Sequence, residues 1–166
     1  MMQLIALPVG LIASTAVGGL RFLLTPLYDP PIYPGLVFMV MAVLVPIHEL
    51  VHMVFHPYCG RSSQSILGFW PSKGLFYAHY GGEMSRARLI IILMAPLLLI
   101  SFGPLIVCAV LGVSSVPLAI ASVLNALLSC VDITGTSVLL FQVPTKARIR
   151  NQGYTTHWKQ NKTVVG

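Results

Sequence analysis

Hydrophobic residues in this chain gather into four long runs with short polar segments between them. The runs extend over residues 4–24, 35–56, 89–111 and 116–141. Each approaches the roughly 20 apolar residues that a helix needs to cross a bilayer core. Thr25-Pro26-Leu27-Tyr28-Asp29-Pro30-Pro31 separates the first two runs and cannot continue a helix. Gly112-Val113-Ser114-Ser115 separates the last two, which predicts a tight helical hairpin. Arg21 lies near the end of the first run, where its long stem can snorkel toward water. The one sizeable polar loop, 58–88, carries two short aromatic runs, Ser65–Trp70 and Leu75–Tyr80, around Pro71-Ser72-Lys73-Gly74. Flanking runs of that kind around a strong turn signal predict a β-hairpin, here lying at the membrane surface. Beyond Phe141 the chain is polar and basic, and residues 153–158 read as a short ordered piece.

The fold class that follows is all-α integral membrane: about four transmembrane helices, a small surface hairpin in the 58–88 loop and a short basic C-terminal tail. The domain division is a transmembrane domain over 1–141 and a cytoplasmic tail over 142–166. The first run lacks the basic n-region of a signal peptide and is read as a spanning helix.

Composition strengthens this picture. Of 166 residues, 56% are hydrophobic and 8% charged, and mean hydropathy is +0.85; a soluble domain carries about a quarter charged residues because its surface must face water. The net charge of +6 would suggest nucleic acid in a soluble protein. Here the basic residues lie between apolar runs or in the tail, so the expected contact is anionic lipid and not nucleic acid. The 58–88 loop and the tail are both predominantly basic, whereas residues 21–34 are neutral overall. Loop, tail and both termini are therefore expected on the cytoplasmic side. The cysteines, 3 in number and without CxxC spacing, form no disulfide framework.

The acidic residues then carry the chemistry. There are only 4, Asp29, Glu49, Glu83 and Asp132. Two lie inside apolar runs, where an ionisable side chain costs roughly 2.5–3.5 kcal/mol even on lenient insertion scales and marks a functional site. Glu49 belongs to His48-Glu49-Leu50-Val51-His52, an HExxH pattern. One helical turn apart, the two histidines can bind one Zn2+ ion, and the glutamate between them can take a proton from an activated water. A catalytic zinc site takes a third protein ligand and leaves one position open. Asp132 is the candidate: counted from the run boundaries, it and His48 lie at equal depth, about 13 Å from the cytoplasmic ends of helices running the same way. The competing reading pairs Asp132 with a buried hydrogen-bonding group.

His56 extends the histidine pattern, but i and i+8 on one helix are about 12 Å apart, too far to share an ion. Asn125, Ser129 and Thr136 share a helix face with Asp132. Ser129 or Thr136 could hydrogen-bond Asp132, and Asn125 could reach a substrate carbonyl; equally, these small polar residues could join helices to one another. His79 and His157 are read as ordinary surface residues.

These features together resemble the putative zincin peptidases, a bacterial membrane family. The residues that carry the resemblance are HELVH in an apolar helix, Asn125…Ser129…Asp132-Ile133 in a later one, Met84-Ser85-Arg86, Ala95-Pro96, and Gly153-Tyr154…Trp158. That family is similar in turn to the site-2 proteases, which cut transmembrane helices. The resemblance implies zinc on His48, His52 and Asp132, Glu49 as general base, a bacterial inner-membrane location, and hydrolysis of membrane-embedded or membrane-proximal protein or peptide substrates. It departs from the site-2 pattern in reading Cys-Val-Asp-Ile around the aspartate and in having no PDZ-like module. The alternative is a non-catalytic membrane subunit whose metal clamps two helices. That reading calls for a fourth protein ligand, from His56 or Cys59.

Overall fold

A computed structural model describes residues 2–24, 31, 33–152 and 155–160. Most of the proline-rich connector between the first two runs, and Gly153-Tyr154 within the tail, fall outside the described residues. The chain is mostly helical, with α1 (Met2–Leu24), α2 (Pro34–Phe55), α3 (Arg86–Pro96), α4 (Gly103–Leu111), α5 (Val116–Leu128) and α6 (Cys130–Gln142). Strands β1 (Ser65–Trp70) and β2 (Leu75–Tyr80) follow α2, β3 (Glu83–Ser85) leads into α3, and β4 (Ala147–Gln152) and β5 (Thr155–Gln160) follow α6.

Among the described residues, three helical stretches are long and apolar enough to cross a membrane: Ala6–Leu24, Pro34–Phe55 and Arg86–Leu111. The fourth run behaves differently from the single helix its hydropathy predicts. It divides into α5 and α6, which meet at 45°. The break falls at Ser129, whose hydroxyl bonds back to the Asn125 carbonyl at 2.9 Å, a contact known to bend helices. Helix α1 packs across the break. Gly10 makes that approach possible, because a Cβ there would lie 2.7 Å from the Cys130 Cβ and 3.0 Å from the Leu127 carbonyl oxygen.

The third run is continuous but not uniform. Between α3 and α4 the chain widens into a π-turn over Leu97–Phe102. Prolines bound this segment at 96 and 104. Each lacks the N–H that a helical carbonyl four residues earlier would receive, so Ile92 and Ile100 have carbonyls free for other partners.

The hairpin forms as the turn signal predicts, with Ser65 opposite Tyr80 and Trp70 opposite Leu75. It lies against α2. The basic tail adds structure that hydropathy does not predict. Strands β4 and β5 fold back onto β3 as an antiparallel sheet of order β3-β4-β5. Alternation drives this: Ala147 and Ile149 are buried, whereas Arg148 and Arg150 point outward. Met84, Ile149 and Ala147 join Leu89, Ile92 and Leu139 in one core that fastens the sheet to α3 and α6. A second core of Val17, Leu97, Leu105 and Ala126 joins α1, the π-turn, α4 and α5. Between them lies an unusual set of buried polar groups, including His48, His52, Asn125, Ser129, Asp132 and Thr136. The helices meanwhile turn large apolar side chains outward, among them Phe38 at 77% exposed and Phe141 at 89%.

Candidate metal centre

His48 and His52 sit one turn apart near the end of α2 and point the same way, with their rings edge to face at 4.8 Å between centroids. Asp132 enters from the first turn of α6. The three side chains converge although 80 residues separate His52 from Asp132 in sequence, because the break at Ser129 re-aims the chain just before the aspartate.

Hydrogen bonds outside the trio decide which nitrogens face inward. His52 Nδ1 lies 2.8 Å from the Ile92 carbonyl, which can only accept, so Nδ1 carries the proton. That carbonyl is the one Pro96 leaves unpaired. His48 Nδ1 lies 2.8 Å from Asn125 Oδ1. The Asn125 amide nitrogen donates to the Pro96 carbonyl and to Ser101 Oγ, each at 2.9 Å, which fixes the amide orientation. His48 Nδ1 is therefore a donor as well, and both Nε2 atoms present lone pairs.

Those lone pairs meet each other and a carboxylate. His48 Nε2 and His52 Nε2 are 3.2 Å apart. Asp132 Oδ2 is 3.3 Å from His48 Nε2, and Oδ1 is 3.5 Å from His52 Nε2. Three acceptors converging with no proton among them repel one another unless a cation lies between them. Zinc bonds of about 2.0–2.1 Å in a tetrahedron put ligand atoms about 3.3 Å apart. The spacing thus fits zinc, and so does the donor set. Asp132 Oδ2 also has no hydrogen-bond partner among the described residues despite burial. Among the described residues His48, His52 and Asp132 form the whole of this group, with ligand atoms within 4.8 Å of one another. Neither His56 nor the exposed Cys59 supplies a fourth ligand.

Glu49 projects from the intervening position of α2 toward the hairpin. Its Oε2 accepts from the Ala78 N–H at 2.8 Å. It lines a cavity of about 360 Å³ together with the trio, His56, His79 and Tyr80. The base candidate therefore shares a chamber with the metal trio without joining it.

The remaining site candidates separate by function. Asn125 directs its side-chain hydrogen bonds to His48, Pro96 and Ser101, so it orients a histidine and does not face a substrate. Ser129 bonds the Asn125 carbonyl and not Asp132. Thr136 Oγ1 is buried with no partner among the described residues. The expectation that either hydroxyl supports Asp132 is thus corrected: one is taken up by the helix break, and the other makes no hydrogen bond to Asp132 or to any other described residue. His79 lines the cavity and is partly buried, contrary to its reading as a surface residue. His56 is buried against Tyr80, with ring centroids 5.6 Å apart. The orienting carbonyl of Ile92 escaped sequence reasoning, although Pro96 four residues later was the signal for it.

No curated protein and no solved structure matches the chain. A family profile described as putative zincin peptidase matches residues 41–148, well over half of the chain. The match includes all of the trio, Glu49, Asn125 and the hairpin. The metal-compatible trio lies wholly inside the matched segment, and the chain belongs to the putative zincin peptidase family.

Proposed function

We propose that this protein is a membrane-embedded zinc metallopeptidase that hydrolyses peptide bonds in membrane-embedded or membrane-proximal proteins and peptides. The observation that carries the reading is the convergence of two imidazole lone pairs and a carboxylate at zinc-ligand spacing, in one chamber with Glu49. The membrane part is supported by the long apolar stretches with large hydrophobic side chains on their outer faces. The outward Ile66, Leu67, Phe69 and Phe76 of the hairpin suit an interfacial position. The basic loop and tail favour a cytoplasmic position for both termini, with anionic lipid around them.

Zinc held by His48, His52 and Asp132 would polarise the scissile carbonyl and make water nucleophilic at neutral pH. Glu49 takes the proton of the attacking water and hands it to the leaving amine. Its hydrogen bond to Ala78 holds the carboxylate in the chamber and away from the ligand atoms. Asn125 and the Ile92 carbonyl keep both imidazoles in the tautomer that ligation needs. The Ala78 N–H bonds Glu49 and so points away from β1, on the outer edge of β2. An unwound substrate segment could add to this edge as a strand, presenting its amide to the chamber.

The decisive experiment is Glu49→Gln in the full-length protein, with zinc content and turnover of membrane proteins measured side by side. The amide preserves shape but cannot accept the proton. Zinc should stay bound while hydrolysis falls by about 10²–10⁴-fold. Uncleaved substrate should then accumulate in the membrane fraction. Full complementation of a deletion strain by a zinc-bound Glu49→Gln protein would defeat the peptidase reading in favour of a structural clamp.

A further inference from the structure

Beside the metal chamber lies a second hollow, of about 470 Å³, lined among others by Tyr58, Tyr80, Met84, Ser85, Arg88 and Arg148. The two spaces share Tyr80 and Met84 as a common wall. The chain itself steps from one to the other, since His56 lines the chamber and Pro57 the cleft.

The cleft is built for negative charge. Its acid, Glu83, is already engaged by Lys159 at 2.6 Å and Arg148 at 4.0 Å. The Lys159 hydrogen bond in particular holds the Glu83 carboxyl below its ordinary range. The exposed Arg88 contributes its backbone N–H to the Ser85 cap, and its guanidinium has no ion-pair partner among the described residues. Ser85 caps α3, so the positive end of that helix adds to the same potential.

The rim is held in place by strained backbone. Tyr58 (φ 59°) and Cys59 (φ 54°) are both left-handed, a conformation that non-glycine residues rarely adopt because Cβ crowds the following carbonyl oxygen. Gly60 (φ 74°) completes the turn, packed so closely on α2 that a Cβ would lie 2.7 Å from the Met53 carbonyl oxygen. This turn leaves Tyr58 80% exposed at the cleft. Strain of this kind gathers where a side chain must be held for a ligand. Two guanidinium groups and a phenol form a donor set suited to a carboxylate.

We propose that the cleft receives an acidic side chain of the substrate peptide, so that the enzyme favours segments with Asp or Glu close to the cleavage point. This rests on the peptidase reading for the identity of the occupant. The shared wall favours a peptide over a lipid headgroup: a chain passing through the metal chamber reaches Tyr80 and Met84 from the other side.

The test measures binding of a fluorescein-labelled oligoglutamate peptide to full-length protein in phosphatidylcholine nanodiscs, with oligoserine as control. Wild type should bind oligoglutamate preferentially. Arg88→Gln, at an exposed position, should weaken binding about tenfold, and Arg88→Lys, which keeps the charge and loses the planar fork, should recover only part of it. Arg148→Gln and Tyr58→Phe should weaken it too, while thermal unfolding stays unchanged. His48→Ala, which cannot hold zinc, should still prefer oligoglutamate to oligoserine, whatever its overall affinity, so loss of the zinc reading and loss of the cleft reading are separately visible. Equal binding of oligoserine, or an unaffected Arg88→Gln, overturns the proposal. It is also overturned if phosphatidylglycerol displaces the peptide and its retention in native mass spectrometry depends on Arg88 and Arg148. The cleft would then be a headgroup site.

Discussion

The Ile92 carbonyl accepts the Nδ1–H of His52 at 2.8 Å, and it is free to do so because Pro96 has no N–H to offer it. A helix imperfection on α3 thus selects the tautomer of a residue on α2. Pro96 acts a second time through its own carbonyl, which receives the Asn125 amide that orients His48. Both histidines are thus aimed through the last turns of α3.

Pro96→Ala should therefore weaken the metal site from outside it. The new N–H would compete with His52 for the Ile92 carbonyl. Loss of such orienting contacts typically costs 10–100-fold in metal affinity. Competition against a chromogenic chelator reads this directly, and wild-type affinity in the variant would show that the contact is incidental.

Metal content tests the trio itself. Purified protein should carry about one zinc per chain, as a three-ligand site with an open position does. His48→Ala and His52→Ala should abolish binding, and Asp132→Ala should weaken it strongly. Unchanged zinc in Asp132→Ala would remove the aspartate from the ligand set. Zinc should also raise the unfolding temperature of wild type in proportion to its occupancy.

Asn125→Leu should be costly for stability as well as for metal. The substitution strips partners from His48 Nδ1, the Pro96 carbonyl and Ser101 Oγ at a fully buried position. Each buried group left unsatisfied costs about 1–3 kcal/mol. Chemical unfolding in detergent should show the loss even in zinc-free protein, which a role confined to the metal would not produce.

The β3–β4–β5 sheet should loosen at acidic pH. Glu83 titrates below its ordinary value of 4.5, chiefly because Lys159 donates to it. A depressed carboxyl pKa contributes stability above the ordinary value, and that stability is lost as pH falls through the lower folded value. The effect is small because the pair is exposed. Trp158 on β5, followed by fluorescence in a Trp70→Phe background, should report a transition below pH 4.5 that Glu83→Gln removes.

Orientation is checked with reporters. Fusions after Gly166 or near Lys73 should be cytoplasmic and one near Asp29 external. A cytoplasmic Asp29 reporter would show that the first apolar stretch does not span.

Local patterns were legible in the sequence because one element contains them whole. HELVH brings two histidines together through the pitch of a single helix. Pro71-Ser72-Lys73-Gly74 between aromatic runs fixes its hairpin, and long apolar runs declare themselves by hydropathy. The tail strands were harder to read: Ala147 and Ile149 alternate with arginines over too short a stretch to stand out, and their partner β3 lies 62 residues before β4 begins.

What the sequence alone determined is thus the apolar helical character, the hairpin and the identity of the metal-binding residue types. Only the tertiary structure decided how they are aimed. The Ile92 carbonyl on His52, the Asn125 bridge from His48 to the Pro96 carbonyl and the Ala78 contact to Glu49 all join residues on different elements. Such contacts exist only once the helices pack, because a buried donor takes whichever acceptor the neighbouring element presents, and no spacing along one strand or helix encodes that choice.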